Sequence, residues 1–262
     1  MVLTSMSIFP KCIMIRLVLL LSIGLVSVCA GTDTVVTFNE IHYHPNGADD
    51  SEWVELHNQM SMRVDLSGWR ISGGINFDFP EGTVIPSKGY LIVQGLGLPL
   101  TLSLGPFDGQ LDNAGESLTL RDRNDRVMDR LDYRDAAPWP IGPDGSGMTL
   151  TKRRPSLATA EADSWGTSVN AGGTPGAVNG LVMAFGELVL SEVLPGAVEL
   201  HNRGENPINL EGHFLGDATN LGNGSIAPNG FHVVEADTIS IGDRVFLTNA
   251  AGQLLDAVRV EA

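Results

Sequence analysis

Cysteine is scarce in this chain, and the little there is lies in one place. The two cysteines, Cys12 and Cys29, both fall within the first 30 residues. The remainder therefore cannot be held by disulfides and must rely on a hydrophobic core, which its length allows. Positive charge is also scarce, with 16 Lys plus Arg against 31 Asp plus Glu. This acidic balance argues against nucleic acid and anionic membranes as partners.

The one long apolar run, residues 17–28, has the flanks of a secretory signal peptide. Lys11 and Arg16 precede it, and small residues follow it up to Ala30. The run is short for a membrane span, so we expect no stable span once the segment is removed. Cleavage after Ala30 removes two positive charges and takes the formal charge from −15 to −17. Acylation of Cys29 and an uncleaved anchor are the alternatives.

Several short motifs occur twice in the chain, in the same order. The clearest is Val-Glu-Leu-His-Asn, which begins at Val54 and again at Val198. A repeated order of this kind predicts two related domains. The other matching pairs are residues 36–41 with 188–193, 64–68 with 208–212, 84–90 with 225–231, and 115–120 plus Asp129 with 242–247 plus Asp256.

The repeated blocks have the pattern of short β-strands. Val54 and Leu56 alternate with Trp53, Glu55 and His57, so the apolar pair faces one side and the polar residues the other. The 31 glycines and 14 prolines are scattered, which suits turns between short strands and would break long helices. Each half is therefore predicted to be an antiparallel sandwich.

Five segments of the first half resemble the lamin tail domain family, whose bacterial members include exported proteins. They are residues 39–45, 52–58, 64–69, 85–90 and 129–133. Trp165, residues 172–176 and Asn179 resemble the tail that follows this domain in such members. The second half departs from the pattern, since His213 stands where the first has Trp69.

The resemblance implies an immunoglobulin-like sandwich that serves as an interaction or structural module, with no catalytic residues to carry over. We therefore expect an all-β chain of two tandem immunoglobulin-like antiparallel β-sandwich domains after the signal peptide. Residues 1–30 are the predicted signal peptide. Residues 31–180 are the first domain, with an irregular Pro/Gly-rich tail from Ala136 onward. Residues 181–262 are a shorter, diverged second copy.

Glu40, Glu55 and His57 form the first candidate metal set. Carboxylate and imidazole groups on neighbouring strands can bind a divalent cation, but the spacing is not diagnostic. Glu192, Glu199 and His201 repeat the pattern in the second half. We favour cross-strand pairing on a solvated face over a metal site.

His42 and His44 share a strand face and are zinc-ligand types, but the second half has no counterpart. We favour structural histidines at a sheet edge.

Asp49, Asp50 and Glu52 form an acidic cluster of the kind that calcium prefers. A solvated loop explains the same residues. Calcium is thus the one cofactor considered, and none is required by the sequence.

Trp139 lies between two prolines and is predicted to be the exposed tryptophan, with sugar stacking as its candidate role. Trp69 is predicted to lie in the core. The basic run of Lys152, Arg153 and Arg154 is predicted to be a solvated segment in a linker-like region.

Motifs for catalysis are missing from the sequence, which has no G-x-S-x-G and no H-E-x-x-H. We therefore expect a non-catalytic, exported binding or scaffolding module of the cell envelope or extracellular space. Its expected partner is a protein or an envelope polysaccharide, and its expected location is secreted or extracytoplasmic, including attachment at the cell surface. The alternatives are a glycan-binding accessory module, a fragment of a larger exported enzyme, and a metal-dependent hydrolase.

Overall fold

The computed structural model describes residues 34–46, 52–96, 103–182, 186–216 and 219–261. Strands, turns and loops make up these residues, with one short 3-10 helix at Ala162–Ser164. The predicted all-β class with antiparallel sheets is confirmed. Within the described ranges, no helix has the length and apolarity to cross a membrane. The predicted signal peptide lies outside the described residues.

Residues 34–182, called here the first unit, contain two main sheets. The strands are β1 (Val36–His42), β2 (Trp53–Asn58), β3 (Val64–Asp65), β4 (Arg70–Gly73), β5 (Ile75–Asp78), β6 (Val84–Ile85), β7 (Tyr90–Gln94), β8 (Ser103–Leu104), β9 (Asp108–Gly109), β10 (Ser117–Arg121), β11 (Val127–Asp132), β12 (Leu150–Lys152) and β13 (Trp165–Thr167).

Residues 186–261, called the second unit, contain smaller sheets. The strands are β14 (Leu188–Leu194), β15 (Gly196–Asn202), β16 (Ile208–Asn209), β17 (Phe214–Leu215), β18 (Thr219–Asn220), β19 (Ser225–Ile226), β20 (Phe231–Ala236), β21 (Arg244–Thr248) and β22 (Leu254–Arg259).

The first unit is a sandwich of a six-stranded and a five-stranded sheet. Their strand orders are β13-β12-β1-β2-β7-β8 and β11-β10-β4-β5-β9, and β3 pairs with β6 as a separate ribbon. Neighbours are antiparallel except β7 and β8. Alternation places Val54 and Leu56 on the inner face, as predicted, where they join Leu118, Leu120 and Leu131 in one buried cluster.

The tail from Ala136 onward is more ordered than predicted. β12 pairs with β1, so that Glu40 lies opposite Thr151, and β13 pairs with β12. These strands could not be recognised in the sequence, because each is only three residues long and lies among Gly and Pro residues. The tail therefore completes the first sheet instead of trailing from it.

The second unit repeats the strand pairing of the first. Its sheets have the orders β14-β15-β20 and β18-β17-β21-β22, with β16 paired to β19. β14, β15 and β20 correspond to β1, β2 and β7, and a bulge interrupts the first pair at the same point in each unit. A separate buried cluster that includes Val198, Leu200 and Leu247 forms its core.

One asparagine at the end of a strand makes the same contacts in both units. The Asn58 amide donates to the carbonyl groups of Met62, Ile85 and Pro86. The Asn202 amide likewise donates to the carbonyl groups of Asn206, Ile226 and Ala227. Each asparagine thus ties the end of one strand to two loops.

The second shared feature is a carboxylate that caps a backbone amide. Asp129 accepts a hydrogen bond from the Phe38 amide at 2.9 Å, and Asp256 accepts one from the Leu190 amide at 2.9 Å. Both amides immediately precede the bulge, where the strand ladder is interrupted. These aspartates therefore hold a group that would otherwise lack a partner.

Candidate functional site

Glu40 and Glu55 lie directly opposite each other on β1 and β2. The sequence predicts that they come together, but their face is not solvated as expected, because both residues are fully buried. The reason is that the tail crosses this face. Gly173 is packed so closely that a Cβ atom there would lie 2.3 Å from a Glu40 carboxylate oxygen.

Side chains and backbone amides of the first unit donate hydrogen bonds to both carboxyl groups. Glu40 accepts from the Thr149 hydroxyl and from the Thr174 amide, the latter at 3.1 Å. Glu55 accepts from the Asn39 amide group at 2.7 Å and from the Gly176 backbone amide at 2.6 Å. The pair therefore anchors the tail.

Burial raises the pKa of both carboxyl groups. The pKa of Glu55 rises to about 8, mainly by burial, and the neighbouring Glu40 charge adds to the rise. Burial also raises the pKa of Glu40, but hydrogen bonds from Thr149 and Thr174 oppose it. Glu55 therefore holds its proton near neutral pH.

His57 does not complete a metal site with this pair. Its ring lies against Tyr90, with the ring centroids 4.7 Å apart, and burial lowers its pKa. Across the described part of the chain, no group of three or more His, Cys, Asp or Glu side chains is placed to hold a metal ion.

A second buried polar cluster, missed by sequence reasoning, surrounds Lys152. The lysine is fully buried, which corrects its predicted position in a solvated run, whereas Arg153 and Arg154 are exposed. Its ammonium group donates to the hydroxyls of Thr37 and Thr159, each at 2.7 Å.

The same hydroxyls connect Lys152 to a buried carboxylate. Thr37 and Thr159 donate to Asp129 at 2.6 and 2.8 Å. Burial lowers the pKa of Lys152 to about 8, while the Asp129 charge opposes the change. The recurrence of Asp129 as Asp256 was the one sequence signal of this cluster.

The histidines expected at a sheet edge lie elsewhere. β1 is an interior strand between β12 and β2, so His42 is not at an edge. His42 is buried, and its Nε2 atom lies 3.2 Å from the Gly147 carbonyl oxygen. His44 follows the strand and contacts the Asp144 carboxylate at 2.7 Å.

Of the predicted calcium cluster, only Glu52 belongs to the described residues; Asp49 and Asp50 lie outside them. Glu52 is buried and accepts a hydrogen bond from the Leu111 amide at 2.8 Å. It is therefore not part of a solvated loop, and calcium binding near it stays a prediction.

All four tryptophans of the chain are buried. Trp139, expected to be exposed, is only 7% accessible, and its ring centroid lies 6.5 Å from that of Trp165. The reason is that its proline-flanked loop folds onto the β13 end of the sheet. Trp69 lies in the core, as predicted, and Trp53 and Trp165 are buried as well.

The two units meet at an ionic cluster. Arg244 of the second unit contacts the buried Asp144 of the first and donates to Asp135 at 3.0 Å. Asp144 also holds His44. A cavity of about 400 Å³ adjoins the cluster, and Leu215, Ile239 and Phe246 line part of its wall.

The units differ in the exposure of one sheet face. The strands concerned are β1, β2 and β7 in the first unit and β14, β15 and β20 in the second. We use the term outer face for the side of these strands that carries the paired glutamates. In the first unit it comprises Thr37, Glu40, His42, Trp53, Glu55, His57, Tyr90, Ile92 and Gln94. In the second unit it comprises Val189, Glu192, Leu194, Ala197, Glu199, His201, Phe231, Val233 and Glu235.

The outer face of the second unit is open. Leu194, Phe231 and Val233 are 51%, 57% and 60% accessible, and Glu192 and Glu235 are exposed. His201 stacks on Phe231 with ring centroids 4.2 Å apart. Exposed apolar side chains grouped with charged ones are typical of an interaction surface.

A family model described as Lamin Tail Domain matches residues 30–135. This match supports the resemblance of the five segments between residues 39 and 133, and residues 136–180 lie outside it. The family is an immunoglobulin-like module with a generally non-catalytic role in binding or scaffolding. None of the curated proteins matches the chain.

Ten chains of solved structures match. One comes from work on inhibition of the exo-beta-D-glucosaminidase CsxA, at 14% identity and a TM-score of 0.19. The match covers 81% of this chain and 26% of that one. A score this low carries no inference about fold or activity.

Proposed function

We propose that this protein is a non-catalytic binding or scaffolding module that acts outside the cytoplasm, at the cell envelope or in the extracellular space. The proposal rests on the contacts that the buried ionisable groups make within the fold. Glu40 and Glu55 anchor the tail, and Lys152 and Asp129 join two sheets. Groups that are fully engaged in holding a fold are not free to move protons for a substrate.

Export is the part of the proposal that rests on the N-terminal sequence. The basic residues, the apolar run and the small residues before Gly31 support a cleaved signal peptide. The absence of cysteine after residue 30 is compatible with a core that needs no disulfide.

We also propose that the second unit is a diverged copy of the first. The shared bulge, the Asn58 and Asn202 contacts and the Asp129 and Asp256 caps support common descent. The copies have kept the groups that hold the fold and have diverged on the outer face. The exposed apolar and charged side chains on the outer face of the second unit support a binding role for that face.

A protein is favoured over a polysaccharide as the partner. The four tryptophans of the chain, the candidate side chains for stacking on sugars, are buried, and the exposed Phe231 ring is already stacked on His201. The exposed apolar side chains of the second unit are of the kind found at protein interfaces.

Co-sedimentation of the mature chain, which begins at Gly31, tests this function. The chain is incubated with insoluble polysaccharides and with cell-envelope fractions, first with calcium and then with a chelator. We expect retention on envelope fractions that is lost when the fraction is treated with protease and is unchanged by chelator.

Two results would contradict the proposal. Retention on a protein-free polysaccharide would favour the glycan-binding alternative. The absence of retention on every fraction would remove the envelope-binding role. A matched check is the mass of the mature protein recovered from cells, which should correspond to a chain beginning at Gly31 and not to one acylated at Cys29.

A further inference from the structure

The two units present the same sheet in a closed and an open form. In the first, β12 pairs with the edge of β1, and the tail crosses the outer face. In the second, β14 corresponds to β1, and no strand among the described residues pairs with its outer edge. The first unit therefore shows what a strand and its continuation do when they occupy this surface.

The contacts that receive the tail are partly preserved in the second unit. Ser191 lies at the bulge position of Asn39 and donates to Glu199 at 2.8 Å, as Asn39 donates to Glu55. Glu192 faces Glu199 as Glu40 faces Glu55.

The positions that pair with a further strand are also identifiable. In the first unit, Glu40 and Ile41 lie opposite Thr151 and Leu150 of β12. The corresponding residues of β14 are Glu192 and Val193, and the exposure of Ser191, Glu192 and Leu194 leaves this half of the strand accessible. An accessible edge of this kind accepts an added strand through its backbone groups.

Charge indicates the chemistry of the occupant. The outer face of the second unit carries Glu192, Glu199 and Glu235, and no Lys or Arg is among its nine residues. The segment that closes the first unit carries the only basic run of the chain, residues 152–154. An occupant with backbone and hydroxyl donors and a basic residue would match this surface.

We propose that the second unit binds an extended segment of another polypeptide, which pairs antiparallel with β14 and then crosses the outer face. Its hydroxyl and amide groups donate to Glu192 and Glu199, as Thr149, Thr174 and Gly176 donate in the first unit. An apolar side chain of the segment packs on Phe231 and Val233. This inference rests on the proposed binding function and assigns a site and a partner class to it.

A peptide with the sequence of residues 147–180 of this chain is the probe, since this segment already closes such a sheet. Binding to the mature chain is followed by fluorescence anisotropy of the labelled peptide. Two variants of the chain test the site, the double variant Glu192→Gln with Glu199→Gln, and Phe231→Ser. Two matched controls change exposed residues off the sheet, Ile241→Ser and Glu205→Gln; Ile241 is 62% accessible and Phe231 57%.

We expect saturable binding that weakens at least about 10-fold in each site variant and is unchanged in the controls. Hydrogen exchange at residues 191–194 should slow when the peptide binds. Circular dichroism of the variants establishes that they fold, which is expected because the changed side chains are at least partly exposed.

Three outcomes would overturn the inference. The first is no binding at peptide concentrations up to about 1 mM. The second is binding that the site variants leave unchanged, which would place the peptide elsewhere. The third is a dimer in sedimentation velocity that the site variants dissociate, which would make a second copy of this chain the occupant.

The envelope experiment separates failure of this site from failure of the function. If the site variants are retained on envelope fractions as well as the unchanged chain, the site is wrong and the binding function stands. If the unchanged chain is not retained at all, the function itself fails.

Discussion

Glu55 has no contact with water, yet both of its carboxyl oxygens accept hydrogen bonds from the chain. Neighbouring Glu40 is buried as well and has its own donors in Thr149 and Thr174. A buried carboxyl group without partners would cost several kcal/mol, so these donors are needed for the fold to tolerate the pair. At the scale of single residues, polar groups hold the tail in place.

The pKa of Glu55 predicts how stability depends on pH. Its pKa is about 8 in the folded chain against 4.5 when solvated. The folded state therefore binds the proton more tightly, and this stabilisation is complete below pH 4.5 and is lost as pH rises through 8. When the pH rises from 6.5 to 8, the unfolding free energy of the unchanged chain should fall by about 1.5 kcal/mol more than that of Glu55→Gln.

Urea unfolding at several pH values measures this slope. The matched control is Glu199→Gln, since Glu199 is the partly exposed counterpart of Glu55. The control should retain the slope of the unchanged chain. Equal slopes for Glu55→Gln and the unchanged chain would show that Glu55 is ionised in the folded state.

Lys152 gives a second prediction at this scale. Its substitution Lys152→Met removes the buried positive charge that faces Asp129 through two threonine hydroxyls. We expect a loss of about 3 kcal/mol in unfolding free energy at pH 7, because a buried carboxylate is left without a compensating charge. Arg153→Met, one residue further along and exposed, should change it by less than about 0.5 kcal/mol. Similar values for both variants would mean that the cluster does not stabilise the fold.

At the scale of elements, the decisive feature is the tail that closes the first sheet. β12 extends the sheet, and the residues after β13 return across the outer face. Gly173 makes that return possible, since it adopts a φ of +67° and leaves no room for a Cβ against Glu40 and Thr149. Gly172 has a similar φ of +73° but has open space around it.

These two glycines form a matched pair for mutation. Gly172→Ala should cost about 1 kcal/mol, because only its left-handed backbone is strained. Gly173→Ala should cost roughly 2 kcal/mol more, because its methyl group also meets the Glu40 carboxylate. Urea unfolding of both variants gives the difference. Equal losses would show that the tail does not pack on the glutamate pair.

The strands of both units could be predicted from the sequence, and the closure of the sheet could not. Alternation predicts that Val54 and Leu56 share one face, and the structure places both in the core. The polar residues Glu55 and His57 predict that the opposite face is solvated. No local pattern shows that a segment over a hundred residues later in the chain covers this face. Burial by a distant, Gly-rich segment has no periodicity to detect.

The candidate site was predicted in the same partial way. The strand pattern predicts that Glu40 and Glu55 lie close together, and the structure places them opposite each other. Their donors could not be predicted, because Thr174 and Gly176 contribute backbone amides, which any residue type but proline offers. Trp139 was misplaced for a related reason, since a loop between prolines gives no sign of what it packs against.

At the scale of the whole molecule, the two units are joined by few but specific contacts. Arg244 contacts the buried Asp144 and Asp135, and Met148 of the first unit packs with Phe246 and Leu254 of the second. A buried carboxylate that depends on a charge from the other unit couples their stabilities.

Removal of that charge should uncouple the units. In scanning calorimetry, Arg244→Met should unfold in two separated transitions, or in one that is broader than that of the unchanged chain, because Asp144 loses its cationic partner in the interface. Arg130→Met, at an exposed position, is the control and should unfold as the unchanged chain does. A single, unbroadened transition for Arg244→Met would contradict this coupling.

The first unit closes its sheet with its own chain, and the second unit is proposed to leave the corresponding sheet open to a partner. Hydrogen exchange resolved to single amides tests it directly, by comparing β1 with β14 in the free protein. Among residues 40–42, the amides that face β12 should be slow, whereas the amides of residues 192–194 that face away from β15 should exchange at least about 100-fold faster. The Leu190 amide is not part of this comparison, because it donates a hydrogen bond to Asp256. Equal protection of the two strands would show that the edge of the second sheet is already covered and is not open to a partner strand.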